Sequence, residues 1–243
     1  MTLFYETRQA PAKLSTFASK FMSKLKPIVP KKKPPIRRPT APPGEIRIIG
    51  GLWKRSKLSV ANLPGLRPTP DRVRETVFNW LGQDLTGWRC VDAFAGTGAL
   101  GFEAASRGAA QVLMCDQQAP VVAQLQAVAT KFKASMVKIE RADGVSALKR
   151  LSPNSVDLVF LDPPFDAAGV ADAALSAASL AVTDAGFIYL EAPKALTSED
   201  AEVFGLQLHR AGKAGMVHYH LLQRLQPNAQ LNTPQNAAEA VLG

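Results

Sequence analysis

The sequence predicts an α/β fold in which a seven-stranded mixed sheet is covered by helices on both faces. Short apolar strands alternate with helical segments over most of the chain, and such alternation is typical of parallel sheets. Two strands around Gly212 and Gly215 come last, and a hairpin at this point adds antiparallel strands to the sheet. A chain of 243 residues is long enough for one such domain with extensions.

Local patterns give the elements in order. Alternating apolar residues on both sides of Gly50-Gly51 predict a hairpin ahead of the sheet. A helix follows, introduced by Pro70 and capped by Thr69 or Asp71. In chain order, we predict strands at 46–49, 58–60, 90–94, 111–115, 137–140, 156–161, 187–191, 206–210 and 216–224, and helices at 71–81, 100–107, 143–151, 167–180 and 198–203.

A glycine-rich loop follows the first strand of the sheet. Gly96 and Gly98 permit a tight turn and let a ligand approach the backbone, while the next helix presents free N–H groups. The loop also fits the dinucleotide fingerprint, which alone is a weak signal. Asp92 favours a different ligand, because its carboxylate repels a pyrophosphate but attracts the ammonium and sulfonium of S-adenosylmethionine. We therefore predict a cofactor site that includes Asp92, Phe94, Gly96 and Gly98.

The next two strands also end in acidic residues. Asp116, at the end of the second strand, is placed to accept hydrogen bonds from ribose hydroxyls, which both nucleotide ligands carry. Asp143 follows the third strand, where it can accept from an adenine amine, cap the next helix, or do both. The predicted cofactor site therefore extends to Asp116, Gln117, Asp143 and Gly144.

The most informative motif is Asp162-Pro163-Pro164-Phe165, directly after the strand at 156–161. The two prolines end the hydrogen-bond ladder and fix the turn, so an Asp acceptor, a main-chain carbonyl and an aromatic face are held together. Ligands bind at this edge of α/β sheets. The alternative is an ordinary strand-ending turn, but the upstream glycine loop favours a site for a flat base with an exocyclic amine. We predict that these four residues form the catalytic centre.

Two upstream signatures make the pattern more specific. Residues 47–55 read Arg-Ile-Ile-Gly-Gly-Leu-Trp-Lys-Arg, and residues 65–72 read Gly-Leu-Arg-Pro-Thr-Pro-Asp-Arg. Together with the glycine loop and Asp-Pro-Pro-Phe, they make residues 45–224 resemble the RsmD family of bacterial 16S rRNA guanine-N2 methyltransferases. The resemblance implies a Rossmann-like class I methyltransferase fold and S-adenosylmethionine as cofactor. It also implies methylation of one guanine in small-subunit rRNA, either naked or in an assembling particle.

The chemistry predicted for this motif is direct displacement at a methyl group. The amine lone pair of guanine is delocalised into the ring. Acceptors on Asp162 and on the Pro163 carbonyl would hold the two N–H bonds out of conjugation and aim the lone pair. Phe165 would stack on the base, and a paired guanine would first be extruded. No metal is needed for these steps.

Basic residues precede the predicted catalytic fold. Arg72 and Arg74 can form surface ion pairs, which are worth little, or line an entrance for RNA. The resemblance implies that this region lies over the cofactor and substrate, so we assign substrate binding to Arg67, Thr69 and Arg72 together with Phe165. Glu191, at the end of the fifth strand, is a weaker candidate. The basic cluster as a whole is Lys54, Arg55, Lys57, Arg67, Arg72 and Arg74.

Positive charge is concentrated at the amino end. Residues 1–43 contain 10 of the 29 Lys and Arg but one of the 20 acids, which leaves 19 of each in residues 44–243. We expect a Pro/Lys-rich disordered extension or a start placed too early; an RNA-affinity arm and an organellar transit peptide are the other interpretations. We then expect a hairpin-and-helix lid at 44–82, the catalytic domain at 83–225 and a mobile tail at 226–243.

The remaining composition points away from metal and membrane sites. Cys90 and Cys115 lie in apolar strands, as expected of core cysteines in a reducing cytosol. The three histidines have no cysteine or aspartate cluster beside them, which disfavours a metal site. No apolar run approaches the ~20 residues that span a bilayer. We therefore expect a cytoplasmic monomer.

Three rival functions remain open. An adenine-N6 DNA methyltransferase would share the Asp-Pro-Pro-aromatic motif, but no target-recognition domain is evident. A dehydrogenase could use the glycine loop, yet it would leave Asp92 and Asp162 unexplained. A non-catalytic RNA-binding factor is disfavoured because the acidic and glycine positions of the predicted site are all present.

Overall fold

A computed structural model describes residues 45–60, 69–165, 167 and 169–225. The strands are β1 (Glu45–Arg47), β2 (Lys57–Ser59), β3 (Arg89–Asp92), β4 (Gln111–Asp116), β5 (Val137–Arg141), β6 (Val156–Leu161), β7 (Val182–Ala192), β8 (Leu206–Ala214) and β9 (Val217–Arg224). The helices are α1 (Asp71–Trp80), α2 (Ala99–Ser106), α3 (Ala119–Phe132), α4 (Gly144–Lys149), α5 (Val170–Ala181) and α6 (Ser198–Glu202).

The central sheet has seven strands in the order β5-β4-β3-β6-β7-β9-β8. The first five of these strands are parallel, and β9 joins β7 and β8 in antiparallel pairs. This confirms the predicted mixed sheet. The strand order reverses between β3 and β6, and ligands bind at such a switch point in open α/β sheets. The carboxyl ends of β3 and β6 therefore mark where a site is expected.

Helices cover both faces of the sheet, as predicted. On one face, α1, α2 and α3 pack against it through buried residues such as Phe78, Phe102 and Leu125. On the other face, α4, α5 and α6 contribute Leu148, Leu175 and Ala201 to a second core. The inner strands β3, β4 and β6 are thus largely buried, which explains their mostly apolar sequences, whereas the edge strand β5 is partly exposed.

The β1–β2 hairpin packs on the sheet domain through α2 and α3. Trp53 stacks on Phe132 with ring centroids 4.9 Å apart. Gly51 has a φ of +72°, and a Cβ there would lie 1.8 Å from the Ser106 carbonyl oxygen, so only glycine permits this approach. The Ser106 hydroxyl donates to the Gly50 carbonyl at 2.6 Å. The Gly-Gly pair therefore serves to dock the hairpin.

Glu103 of α2 is fully buried and is the centre of this docking interface. Its Oε1 accepts from the Gly50 N–H at 2.8 Å and from Arg107 Nη2 at 2.8 Å. Its Oε2 accepts from the Ile49 N–H at 2.9 Å and from Arg74 Nη1 at 3.1 Å. Two arginines thus neutralise one buried carboxylate, and the same carboxylate binds the backbone of the hairpin.

Arg74 corrects one expectation about the basic cluster. Its side chain is fully buried, and besides Glu103 it donates to the Arg47 carbonyl at 2.9 Å and to Asp71 at 2.6 Å. The prediction that Arg74 lines an RNA entrance is wrong, because the buried side chain cannot contact RNA. Its partners on α2 and the hairpin are far away in sequence, so no local pattern indicates this burial. Arg74 is a structural residue.

Other differences from the predicted elements are local. Helix α1 begins after Pro70 without a side-chain cap, so the expected cap by Thr69 or Asp71 is wrong. Strand β7 starts at Val182, five residues earlier than predicted, and β8 continues through Gly212 to Ala214. The expectations for residues 1–43 and 226–243 lie outside the described residues, and the domain boundaries stay predictions.

Candidate active site

Five acidic residues lie where the five parallel strands end. Two of them close β3 and β4, two lie within two residues after the ends of β5 and β6, and one is the penultimate residue of β7. Because parallel strands end at the same edge of a sheet, their carboxylates share one side of the molecule. These residues are Asp92, Asp116, Asp143, Asp162 and Glu191.

The glycine loop joins β3 to α2 in a conformation that requires glycine. Gly96 and Gly98 have φ values of +49° and +80°. A Cβ on Gly98 would lie 2.6 Å from the Leu125 side chain. Asp92 Oδ2 accepts from the Gly101 N–H at 3.0 Å, and Asp116 Oδ2 accepts from the Gly96 N–H at 3.1 Å. Two of the predicted cofactor residues therefore hold the loop in place.

Asp143, the third predicted acidic residue, caps the next helix, which confirms one of its two predicted roles. Asp143 is the N-cap of α4, and its Oδ1 accepts from the Ser146 N–H at 2.8 Å. Its Oδ2 accepts from Gln117 Nε2 at 2.8 Å, which links the ends of β4 and β5. A Cβ on Gly144 would lie 2.2 Å from the Ala93 carbonyl oxygen, so α4 begins in close contact with the end of β3.

The Asp-Pro-Pro-Phe segment leaves the end of β6 beside the glycine loop. Asp162 is partly buried, and no hydrogen-bond donor contacts its carboxylate in the part of the chain that the structure describes. Burial, followed by the negative charges of Glu191 and Asp92, raises the pKa of Asp162 well above its ordinary value. Pro163 is buried, whereas the Phe165 ring is 49% exposed and free to stack on a ligand.

Glu191 makes buried contacts that the sequence does not indicate. It is 5% exposed, and its Oε1 accepts from Thr69 Oγ1 at 3.0 Å and from Tyr189 Oη at 2.9 Å. Burial raises its pKa, which these two hydrogen bonds partly offset. The sequence pattern that could identify Glu191 is a glutamate at the last inward-facing position of an apolar strand. Its partner Thr69 lies 122 residues away, so no local pattern reveals the contact.

Asp92 completes an unpaired group of carboxylates. It is 3% exposed, and burial is the main reason that its pKa rises from 3.8 to about 7, with smaller contributions from the charges of Asp116 and Glu191. Among the described residues, no lysine or arginine pairs with Asp92, Asp162 or Glu191. We call these three residues the edge carboxylates. Buried carboxylates without a cationic partner are typical of a functional site and suit a cationic ligand.

The predicted substrate residues lie in different environments. Thr69 is 7% exposed and its hydroxyl is directed at Glu191, whereas Arg72 is exposed on the first turn of α1. Arg67 lies outside the described residues. Their roles in substrate binding stay predictions.

Neither a metal-binding cluster nor a membrane-spanning helix occurs in the part of the chain that the structure describes. No group of three or more His, Cys, Asp or Glu side chains in this part has an arrangement that could hold a metal ion. No helix in the same ranges is long and apolar enough to cross a bilayer.

Comparisons with known proteins agree with this geometry. Residues 46–223 match the family model described as Conserved hypothetical protein 95. Ribosomal RNA small subunit methyltransferase D of Escherichia coli K12 is 40% identical over 190 residues, which cover 74% of this chain and 91% of that protein. The solved structure of a putative methyltransferase, yhhF of Escherichia coli, has a TM-score of 0.64 and 38% identity, and covers 74% of this chain and 98% of that one.

A second solved structure supports the same fold. The putative methylase HI0767 of Haemophilus influenzae has a TM-score of 0.61 and 34% identity, and the match covers 75% of this chain and all of that one. The central sheet, the acidic carboxyl edge and these relatives agree on a Rossmann-like class I methyltransferase. The chain belongs to the RsmD family of methyltransferases.

Proposed function

We propose that this enzyme transfers a methyl group from S-adenosylmethionine to the N2 amine of one guanine in 16S rRNA. The observation that carries the proposal is the group of edge carboxylates beside the exposed ring of Phe165. Carboxylates without cationic partners can accept hydrogen bonds from an exocyclic amine, and the ring offers a surface for stacking. The name of the Escherichia coli relative supports rRNA as the substrate.

The residues present fit S-adenosylmethionine as the methyl donor. When bound, this cofactor supplies a methyl group on a positively charged sulfur. The carboxyl group of Asp92, just before the glycine loop, suits a ligand with an ammonium and a sulfonium. The glycine loop leaves its backbone open to close approach, and Asp116 and Asp143 follow β4 and β5 where acceptors for a ribose and an adenine would be needed.

Asp162 and Pro163 would orient the guanine amine. The Asp162 carboxylate has no donor among the described residues, so it is available to accept one N–H of the amine. The Pro163 carbonyl would accept the other. Holding both N–H bonds out of conjugation with the ring concentrates the lone pair on nitrogen and aims it along one direction. Phe165 would hold the base plane by stacking.

A basic flank of the domain would bind the phosphates of the RNA. Residues 46–60 and 117–139 carry seven Lys and Arg and no acid. The two segments pack together, since Lys131 Nζ donates to the Lys57 carbonyl at 3.1 Å and Gln124 donates to the Ser59 carbonyl. Lysine and arginine neutralise phosphates and release counterions without reading the base sequence. The flank would therefore supply affinity, while the carboxyl edge would select the base.

An enzyme of this substrate class works where ribosomes are assembled, so we place it in the cytoplasm. We propose that it acts as a monomer on 16S rRNA or on an assembly intermediate of the small subunit. Neither a metal nor a membrane partner enters the proposed reaction.

The direct test is transfer of a labelled methyl group from S-adenosylmethionine to unmodified small ribosomal subunits, naked 16S rRNA and genomic DNA. Nuclease digestion then identifies the modified nucleoside. We expect N2-methylguanosine in the rRNA and none after Asp162→Ala. N6-methyladenine in DNA would be consistent with the fold and the cofactor but would show that the substrate is DNA. Label in none of the three nucleic acids would contradict the proposal.

A further inference from the structure

The register of β6 and β7 brings two of the edge carboxylates side by side. Phe160 lies opposite Tyr189 in this parallel pair. Asp162 and Glu191 follow two residues later on their respective chains, and neighbouring strands lie about 4.8 Å apart. Because side chains alternate between the faces of a sheet, both carboxylates are on the face that carries Phe160 and Tyr189. The Tyr189–Glu191 hydrogen bond confirms this direction for Glu191.

Among the residues that the structure describes, hydrogen-bond donors contact one oxygen of Glu191. The hydroxyls of Thr69 and Tyr189 both donate to Oε1. Within the described ranges, no group donates to Oε2 and no cation pairs with the carboxylate. A carboxylate oxygen that no described group engages remains available to accept a hydrogen bond from a ligand.

The charges of this pair also favour proton uptake. Burial raises the pKa of Glu191, and its negative charge helps to raise the pKa of Asp162. Two neighbouring carboxylates of this kind titrate as a unit and hold a proton at a higher pH than an exposed carboxylate does. Such a group can accept a proton from a substrate and later return it to water.

We propose that Oε2 of Glu191 receives the proton that the guanine amine releases on methylation. This step rests on the proposed function. The nitrogen lone pair forms the new N–C bond, and the C–S bond breaks with its electron pair left on sulfur. The N–H proton then passes to Oε2, and the N–H electron pair returns to nitrogen. The protonated Glu191 releases its proton to water when the methylated base leaves.

Asp162 and Thr69 have separate roles in this step. Asp162 orients the amine by accepting one hydrogen, and the hydrogen that the Pro163 carbonyl holds before methylation is the one that passes to Glu191. Thr69 is a positioning residue, because its hydroxyl holds Oε1 and leaves Oε2 toward the substrate. The Thr69 hydrogen bond also lowers the pKa of Glu191 relative to the value that burial alone would set.

The first test compares the wild-type enzyme with Glu191→Gln, which keeps the side-chain shape. Single-turnover methyl transfer to small ribosomal subunits is measured across pH 5 to 9, and S-adenosylmethionine affinity is measured by calorimetry. We expect a rate about 10²-fold lower with unchanged cofactor affinity, since a positioned base contributes at least that much. We also expect loss of the rise in rate with pH that the wild type shows. A wild-type rate and pH profile in Glu191→Gln would overturn the proposal.

A second pair of variants keeps the test decisive if Glu191→Gln folds poorly. Thr69→Val removes the hydroxyl, so the pKa of Glu191 and the midpoint of the pH profile should both move upward; Thr69→Ser should keep the wild-type midpoint. Carbon-13 NMR of the side-chain carboxyls reports the pKa change without any turnover. Equal midpoints and equal carboxyl titrations in Thr69→Val and the wild type would contradict the assignment. Wild-type failure on guanine would overturn the proposed function and this step, whereas an active wild type with an unaffected Glu191→Gln overturns this step alone.

Discussion

Two groups of buried charge in this protein differ in one respect. Glu103 is surrounded by Arg74, Arg107 and backbone N–H groups, and both of its oxygens are used. The edge carboxylates are also largely buried, yet no described cation pairs with them. A paired buried charge fixes one element against another, whereas an unpaired one retains its capacity to bind a ligand. The contrast separates the residues that build the fold from those that we assign to the reaction.

The largest expected effect comes from removing an edge carboxylate. Asp162→Ala should lower single-turnover methyl transfer by about 10³-fold, because the variant has no preorganised acceptor for the reacting amine. S-adenosylmethionine affinity should survive, since the glycine loop and Asp116 are untouched. Rapid-quench assays and calorimetry measure the two quantities. A variant that retains most of its rate would remove Asp162 from the mechanism.

Removing the charge of Glu103, which is paired with two arginines, should lower the stability of the fold. Glu103→Gln leaves Arg74 and Arg107 buried with a neutral partner, and breaking a buried ion pair costs about 3–5 kcal/mol. We expect this loss in the free energy of unfolding, measured in urea. Glu140→Gln offers a control, because Glu140 forms partly exposed ion pairs with Lys138 and Arg150. A loss no larger than that of the control would show that Glu103 is not the docking centre.

Asp92 offers a comparison by pH. In the folded protein the carboxyl group of Asp92 keeps its proton up to about pH 7, whereas in the unfolded chain it loses this proton near pH 3.8. The contribution of Asp92 to stability is therefore complete at low pH and is lost as the pH rises from about 4 to 7, by at most about 4 kcal/mol. Asp92→Asn should reduce this decline. Urea unfolding at pH 5 and pH 8 measures it, and an unchanged decline would show that Asp92 is not protonated in the folded state.

Removing the exposed Phe165 ring at the carboxyl edge of the sheet should weaken substrate binding more than it slows methyl transfer. Phe165→Ala should weaken the use of RNA by about 1–3 kcal/mol, the value of one base-stacking interaction. Phe165→Tyr keeps the ring and serves as the matched control. Fluorescence binding assays with RNA and with S-adenosylmethionine separate the two ligands. Equal losses for both ligands would mean that the ring only supports the loop.

The smallest expected effect comes from removing two basic side chains of the hairpin that Glu103 binds, and it concerns the affinity for RNA. Lys54→Ala with Arg55→Ala should reduce the slope of log affinity for RNA against log salt by about 0.7 for each phosphate that the variant no longer neutralises. Unfolding should not change, since both side chains are exposed. A salt series with the wild type and the double variant provides the measurement. Identical slopes would exclude this part of the basic flank from RNA binding.

The same contrast explains how much could be predicted from the sequence. The glycine loop, Asp162 and Phe165 are local patterns at strand ends, so the sequence alone is sufficient to predict the proposed site. No local pattern predicts the contacts of Glu191, because Thr69, which binds it, is 122 residues away. Arg74 was placed wrongly for the same reason: its burial depends on Glu103 and on the Arg47 carbonyl, and neither adjoins it in the chain.

Fold class followed from short-range periodicity, while element limits depended on tertiary contacts. The alternation of strands and helices was sufficient to predict the seven-stranded mixed sheet. The early start of β7 comes from pairing of Val182 with Val156, and the extension of β8 through Gly212 comes from pairing with Tyr219. Both pairings add residues with low strand propensity, such as Gly186 and Gly212, which sequence patterns exclude.

The central claim is that the unpaired edge carboxylates perform the reaction while the paired Glu103 maintains the fold. The most direct measurement takes Asp162→Asn and Glu103→Gln through both urea unfolding and single-turnover methyl transfer to small ribosomal subunits. The account predicts a crossing: Asp162→Asn loses at least about 10²-fold in rate without loss of stability, and Glu103→Gln loses stability while its folded fraction keeps most of the rate. A normal rate in Asp162→Asn, or a larger loss of rate in folded Glu103→Gln, would contradict it.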